Sequence, residues 1–114
     1  MAEHPRHLGL VVLTDDLGAA LLTWRSLGFR VLRLASGGAV LEGEGTRVFV
    51  QVESDSHRAR DAYPLYYTPN LPQVVDAFES QGGRMLETRE IGGAPVHLLV
   101  APTGHRLAIT GSPL

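Results

Sequence analysis

The stretch RHLGLVVLTDDLGAALLTWRSLGF, residues 6–29, contains the patterns of a strand, a capped turn and a helix. Its first half is apolar, which predicts a buried strand. Asp15 and Asp16 follow and offer side-chain oxygens for the free amides at a helix start. The apolar residues then recur at three- and four-residue steps, which predicts an amphipathic helix. Gly28 is typical of the position just after a helix.

A weaker copy of the same pattern, YPLYYTPNLPQVVDAFESQGGRM, occupies residues 63–85 and predicts a second module. Short alternating stretches and Gly-rich turns follow each copy, so the predicted order is β-α-β-β-β, twice, in an α+β chain. We place module one at 6–53, a polar linker at 54–62 and module two at 63–111, within one domain over 1–114. The predicted strands are 7–13, 29–34, 39–42, 47–53, 64–68, 84–90, 96–100 and 106–110.

The composition narrows the classes of function. The 114 residues are 44% hydrophobic and 19% charged, which is typical of one globular domain. A net charge of -2 argues against a broad nucleic-acid-binding surface. With no cysteine, disulfides, thiolate metal sites and cysteine nucleophiles are excluded. The apolar runs are too short for a signal peptide or a membrane span, so we expect a cytoplasmic protein without a membrane partner.

Three short motifs, in order, resemble those of the vicinal oxygen chelate superfamily: HLGLVV before the capped turn, the helix ending LGF, and APTGHRLAI near the end. This superfamily includes glyoxalase I, extradiol dioxygenases, fosfomycin-resistance enzymes and bleomycin-resistance proteins. The resemblance covers nearly the whole chain. It implies that each module curls its mixed sheet into a cup and that two cups enclose the site, often in a domain-swapped homodimer.

Metal-dependent members of the superfamily place one ligand on the first and last strand of each module. By this resemblance the four positions fall on His7, Gln51, Tyr63 or a neighbour, and Ala108, where the family motif has Glu. An alanine methyl cannot coordinate a metal, and tyrosine and glutamine are poor ligands for these divalent ions. We therefore expect no metal and no other cofactor.

Strand alternation and the resemblance together predict a ligand-binding surface inside the cup. Tyr63, Leu65 and Tyr67 share one face of strand five. We assign Trp24 to a dimer interface or the mouth of the cup, and His97 could face into the cup. The predicted ligand-binding residues are His7, Trp24, Phe49, Gln51, Tyr63, Leu65, Tyr67, Arg106 and Ala108. The competing interpretation is that the tyrosines fill a sealed core.

The leading hypothesis is a non-catalytic protein that binds and sequesters a bulky aromatic antibiotic. No nucleophile-base motif or phosphate-cradling loop is present in the sequence. Metal-free relatives of the bleomycin-resistance type imply ligands such as bleomycins, mitomycins or quinoline and quinoxaline depsipeptides, held by a homodimer. The alternatives are a metal-dependent lyase or dioxygenase of the same superfamily, a structural or regulatory paralogue with a filled cup, and an unrelated α+β fold. The catalytic question stays open, with the ligand replacements favouring no catalysis.

Overall fold

The computed structural model describes residues 5–35, 37–43, 45–55, 58–59 and 61–114. The predicted β-α-β-β-β order is confirmed in both halves, and the chain is α+β. The elements of the first half are β1 (Arg6–Thr14), α1 (Leu17–Ser26), β2 (Arg30–Ala35), β3 (Gly38–Gly43) and β4 (Thr46–Val52). Those of the second half are β5 (Ala62–Tyr67), α2 (Leu71–Ser80), β6 (Arg84–Ile91), β7 (Ala94–Val100) and β8 (Arg106–Thr110). The turn residue Ser36 and the linker residues Ser56, His57 and Arg60 lie outside the described residues.

The chain divides into two compact units. The first unit is Gly9–Ala62, and the second is Tyr63–Leu114 together with the start of the chain up to Leu8. In the first unit the strand order is β2-β3-β4-β1, and β4 runs parallel to β1. In the second unit the order is β6-β7-β8-β5, and β8 runs parallel to β5. The remaining neighbours within each unit are antiparallel.

The duplication extends to the irregularities of the sheets. The pairing of β2 with β3 shifts register between Val31 and Arg33. The pairing of β6 with β7 shifts at the corresponding place, between Met85 and Glu87. Since such bulges change the local twist of a strand, both modules use the same device on the outermost strand of their sheet.

The two helices begin differently. At α1 the carboxylate of Asp16 accepts a hydrogen bond from the Ala19 amide at 3.0 Å, as the capping prediction requires. Asn70 occupies the same position before α2, but its side chain makes no capping bond. Within the described residues, no helix is long and apolar enough to cross a membrane.

Both helices end in the same way. The Gly28 amide donates to the carbonyl of Arg25, and the next amide, that of Phe29, reaches back to the carbonyl of Trp24. Gly82 and Gly83 repeat both bonds in the second module. Gly28 and Gly82 have φ values of 94° and 96°, a region that L side chains disfavour. These helix ends are Schellman motifs. The prediction that Gly28 follows directly after the helix region is confirmed.

One strand departs from its predicted burial. Residues 29–34 alternate between apolar and basic residues, which predicts one buried and one wet face. The structure instead exposes every residue of β2, and Leu34 is 63% exposed. The reason is the position of β2 at the outer end of the strand order, with β3 as its hydrogen-bonded neighbour.

Candidate functional site

Each sheet has a helix face, which α1 or α2 covers, and an opposite cup face. In the first unit the helix face holds a buried cluster of Ala39, Leu41, Val48 and Val50, against which residues of α1 pack. Because Phe49 and Gln51 alternate with these valines on β4, they lie on the cup face.

In the second unit, Tyr66 on β5 lies with the α2 residues Val74 and Phe78 around one cavity and therefore marks the helix face. Alternation places Tyr63, Leu65 and Tyr67 on the cup face, as predicted.

The cup-face residues differ widely in exposure. Phe49 is 2% exposed, and Tyr63, Leu65 and Ala108 are 0% exposed. A ligand therefore reaches these four side chains only after the packing around them opens. Gln51 and Tyr67 are half-buried, and Arg106 is exposed. His7 is also exposed, but its ring contact with Tyr66 places it on the helix face and not on the cup face. The Arg6 guanidinium lies 5.1 Å from the centroid of the Tyr67 ring, in a cation-π geometry.

The four positions at which the resemblance predicts metal ligands make other contacts in the structure. His7 meets the Tyr66 ring edge-on, with 5.4 Å between ring centroids. Oε1 of Gln51 lies 3.1 Å from the place that a Cβ atom on Gly38 would occupy, at the start of β3. The Tyr63 hydroxyl accepts a long hydrogen bond, 3.5 Å, from Nη1 of Arg106.

The last of these positions, Ala108, is surrounded by apolar neighbours. It is opposite Leu65 on β5 and opposite Leu98 on β7. Both leucines are fully buried, so no polar group of the neighbouring strands at this level replaces the missing glutamate. Across the part of the chain that the structure describes, no three His, Asp or Glu residues are grouped so as to hold a metal ion. These residues do not fit the divalent metal of the superfamily.

Two aromatic side chains lie elsewhere than the sequence suggested. Trp24 packs on the helix face of the first unit, where its ring contacts Phe29 with 5.2 Å between centroids and planes 77° apart. The cup-mouth alternative for Trp24 is therefore wrong, and its assignment to a dimer interface stays a prediction. The His97 position is opposite Ile109 and therefore on the helix face, where Nδ1 lies 2.7 Å from the Thr88 hydroxyl. The expectation that His97 faces the cup is wrong, because the register of β7 turns it to the other side.

The structure also contains a site that the sequence did not indicate. A partly open cavity of about 310 Å³ lies between α2 and the helix face of its own sheet. The lining side chains are apolar or aromatic: Tyr66, Val74, Phe78, Leu99, Leu107 and Ile109, with Pro5 at the start of the chain. The sequence contained one indication of this cavity. Gly83, which has no side chain, stands at the position where module one has the large ring of Phe29.

No protein-family model and no curated protein sequence matches this chain. Solved structures do match its fold. A protein described as NAD-dependent benzaldehyde dehydrogenase from Legionella pneumophila aligns over 89% of this chain and 95% of its own, with TM-score 0.66 and 10% identity. Methylmalonyl-CoA epimerase from Mycobacterium tuberculosis aligns over 96% and 87%, with TM-score 0.64 and 16% identity.

A glyoxalase/bleomycin resistance protein/dioxygenase superfamily member from Vibrio splendidus 12B01 aligns over 93% of this chain and 97% of its own. Its TM-score is 0.57 and its identity 14%. The chain has the vicinal oxygen chelate fold. At these identities the likeness establishes a shared architecture, and activity has to be argued from the residues of the chain itself.

Proposed function

We propose that this vicinal oxygen chelate chain binds a bulky aromatic natural product and does not convert it. The observation that carries the proposal is the environment of Ala108. Its methyl group occupies a ligand position of the metal-dependent members, is fully buried and lies beside Leu65 and Leu98. Without a carboxylate there, and with Tyr63 engaged by Arg106, the Lewis-acid chemistry of the fold lacks its ligands.

The ligand class follows from the side chains on the cup face. Aromatic rings and the exposed guanidinium of Arg106 suit a large, flat, partly apolar molecule with an acceptor group for Arg106. The proposed contacts are the predicted residues that lie on the cup face: Phe49, Gln51, Tyr63, Leu65, Tyr67, Arg106 and Ala108. The exposed and half-buried members meet the ligand first, and the buried ones contribute if the packing opens.

The energetics allow useful affinity without a reaction. Each stacked ring pair adds roughly 0.5–1.5 kcal/mol beyond area burial. Two or three such pairs and general apolar burial give binding of about -8 to -12 kcal/mol, which is micromolar to nanomolar. Holding the molecule lowers its free concentration. The proposed role is therefore self-resistance to a DNA-directed antibiotic of the bleomycin, mitomycin or quinoline/quinoxaline depsipeptide type, in the cytoplasm, by a domain-swapped homodimer.

The test is a calorimetric titration of the metal-stripped protein with one antibiotic of each type, repeated with Arg106→Ala. We expect saturable binding of at least one compound and a loss of about tenfold in affinity for the variant, since a charge-assisted contact is removed. Arg84→Ala, an exposed arginine at the start of β6, is the matched control and should bind like the parent. Failure of all three compounds to bind, or conversion of any of them, contradicts the proposal.

A further inference from the structure

The residues around the cavity beneath α2 correspond to residues of the first module that pack against one another. The strand pairing shows that Leu41 corresponds to Leu99. Leu41 lies opposite Val48 on β4, and Leu99 lies opposite Leu107 on β8. In the first module the corresponding space is filled by a packed cluster that includes Trp24 and Phe29. In the second module Phe78 replaces the tryptophan and Gly83 replaces Phe29, and about 310 Å³ stays empty.

The position of Phe78 explains why the space stays open. A Cβ atom placed on Gly83 would lie 2.2 Å from Cε2 of Phe78, so the phenyl ring already occupies the place of a side chain at residue 83. A second ring like that of Phe29 is therefore absent from this helix face. The cavity is bounded instead by the smaller side chains of Val74, Leu99 and Leu107.

We propose that this cavity is a binding site for a neutral, compact aromatic molecule of one or two rings. Its volume is near the lower end of the range for small-molecule sites, which is roughly 300–1,000 Å³. Apolar protein cavities of about half this size stay dry and accept a benzene ring. Tyr66 and Phe78 offer ring edges and faces for offset or edge-on stacking.

The lining also defines the charge of the ligand. Among the lining residues that the structure describes, Tyr66 has the one polar side chain, and its phenol form carries no charge. A charged ligand would lose its hydration without gaining an opposite charge, which is costly in an apolar site. The site therefore selects a neutral ring system over its carboxylate derivative.

This site is separate from the one in the proposed function. Tyr66 points to the helix face, whereas the neighbouring residues Leu65 and Tyr67 belong to the cup face. Binding at the cavity therefore does not depend on binding of an antibiotic at the cup face, and either proposal can fail alone.

The experiment is a titration of the methyl-labelled full chain with indole, followed by carbon-proton correlation spectra. We expect the methyl signals of Val74, Leu99, Leu107 and Ile109 to shift and saturate together. The methyl signals of Leu41 and Val48, the corresponding residues of the first module, should stay in place. Indole-3-acetate is the charged comparison and should bind about tenfold more weakly or not at all.

Val74→Phe places a phenyl ring in the cavity and should weaken indole binding about tenfold or more, because the space is taken. Ala77→Phe makes a similar change on an exposed position of the same helix and should leave binding unchanged. If Val74→Phe does not fold, as judged by circular dichroism, Leu107→Phe takes its place. Absence of saturable shifts, shifts in the first module alone, or equal binding by Val74→Phe overturns the proposal.

Discussion

The two modules share one backbone design but fill their helix faces differently. In module one, Trp24 and Phe29 form an edge-on ring pair over a buried aliphatic cluster. In module two, Phe78 packs over Gly83, and the remaining space is a cavity. The helix ends, the bulges and the parallel strand pair are repeated in both.

The difference shows which features of a duplicated unit depend on the backbone and which depend on side chains. Turn glycines and bulges fix the course of the chain, so they recur in both copies. Side-chain volume on the helix face is less constrained, provided that neither copy is overpacked. One module can therefore hold a solid core while the other has space for a ligand.

The largest effect is expected from Phe29→Ala, which removes the ring partner of Trp24. Truncating a phenylalanine in a packed cluster costs about 3 kcal/mol, and somewhat less where the ring is half-buried, as here. The measurement is urea unfolding followed by the fluorescence of Trp24, the single tryptophan of the chain. Leu34→Ala, on the exposed strand β2, should change the free energy of unfolding by less than about 0.5 kcal/mol. Equal effects of the two variants would show that module one is not closed by this ring pair.

The next prediction compares the same substitution, leucine to phenylalanine, at corresponding positions of the two modules. Leu41→Phe should destabilise the protein by roughly 1–3 kcal/mol, because the cluster of module one has no room for a larger side chain. Leu99→Phe borders the cavity and should cost less than about 1 kcal/mol, since part of the ring enters existing space. Chemical denaturation of both variants provides the comparison. Equal losses would contradict the assigned difference between the modules.

A third prediction concerns the glycine that admits Phe78. Gly83→Ala places a methyl group 2.2 Å from the Phe78 ring, and we expect a loss of about 1–2 kcal/mol as the ring is displaced. In a Phe78→Leu background the same change should cost about half as much, because the flexible leucine yields more easily. A double-mutant cycle measures the coupling between the two positions. Additive effects would mean that the ring does not occupy this space.

The smallest effect is a pH dependence on the sheet of module one. Arg30 donates a hydrogen bond to Glu42 at 2.9 Å, and this bond, with the charge of Arg47, lowers the pKa of the Glu42 carboxyl below 4.5. The lowered pKa means that the contribution to stability is present above about pH 4.5 and is lost as the pH falls through the folded-state value.

Glu42→Gln should therefore unfold at a slightly lower temperature than the parent at neutral pH. This difference in melting temperature should shrink on acidification. Glu90→Gln, an exposed glutamate on β6, is the control. The Glu42 side chain is 32% exposed and that of its partner Arg30 is 74% exposed, so solvent screening keeps the effect small. A difference that grows as the pH falls would reverse the assigned sign.

The sequence predicted the architecture well because local signals decide it. Glycines after both helices, the capping aspartate and the alternation on β4 and β5 each determine a backbone feature near themselves. The burial of β2 was predicted wrongly, since alternation cannot show that a strand is the outermost of its sheet. The predicted face of His97 was wrong because the register of β7 depends on its pairing with β8.

The candidate sites depend on information that a single sequence contains less directly. Ala108 at a ligand position is visible as a departure from the family motif, but its leucine neighbours emerge only from the strand pairing. The cavity exists because the side chains around it do not fill the space between them. Those side chains come from three strands and a helix, so their combined volume is not visible in one stretch of sequence. Comparing the two copies residue by residue, at Phe29 and Gly83, was the one route to it from sequence.

The central claim, binding without a metal, is tested most directly by metal content. The chain is purified without a metal-affinity tag, offered nickel, zinc, manganese and iron(II), desalted, and analysed by mass spectrometry. We predict metal far below one ion per chain, because Ala108, Tyr63 and Gln51 do not supply a ligand set with His7. One tightly held ion per chain, lost on substitution of His7, would contradict the account and favour a metal-dependent enzyme of this fold.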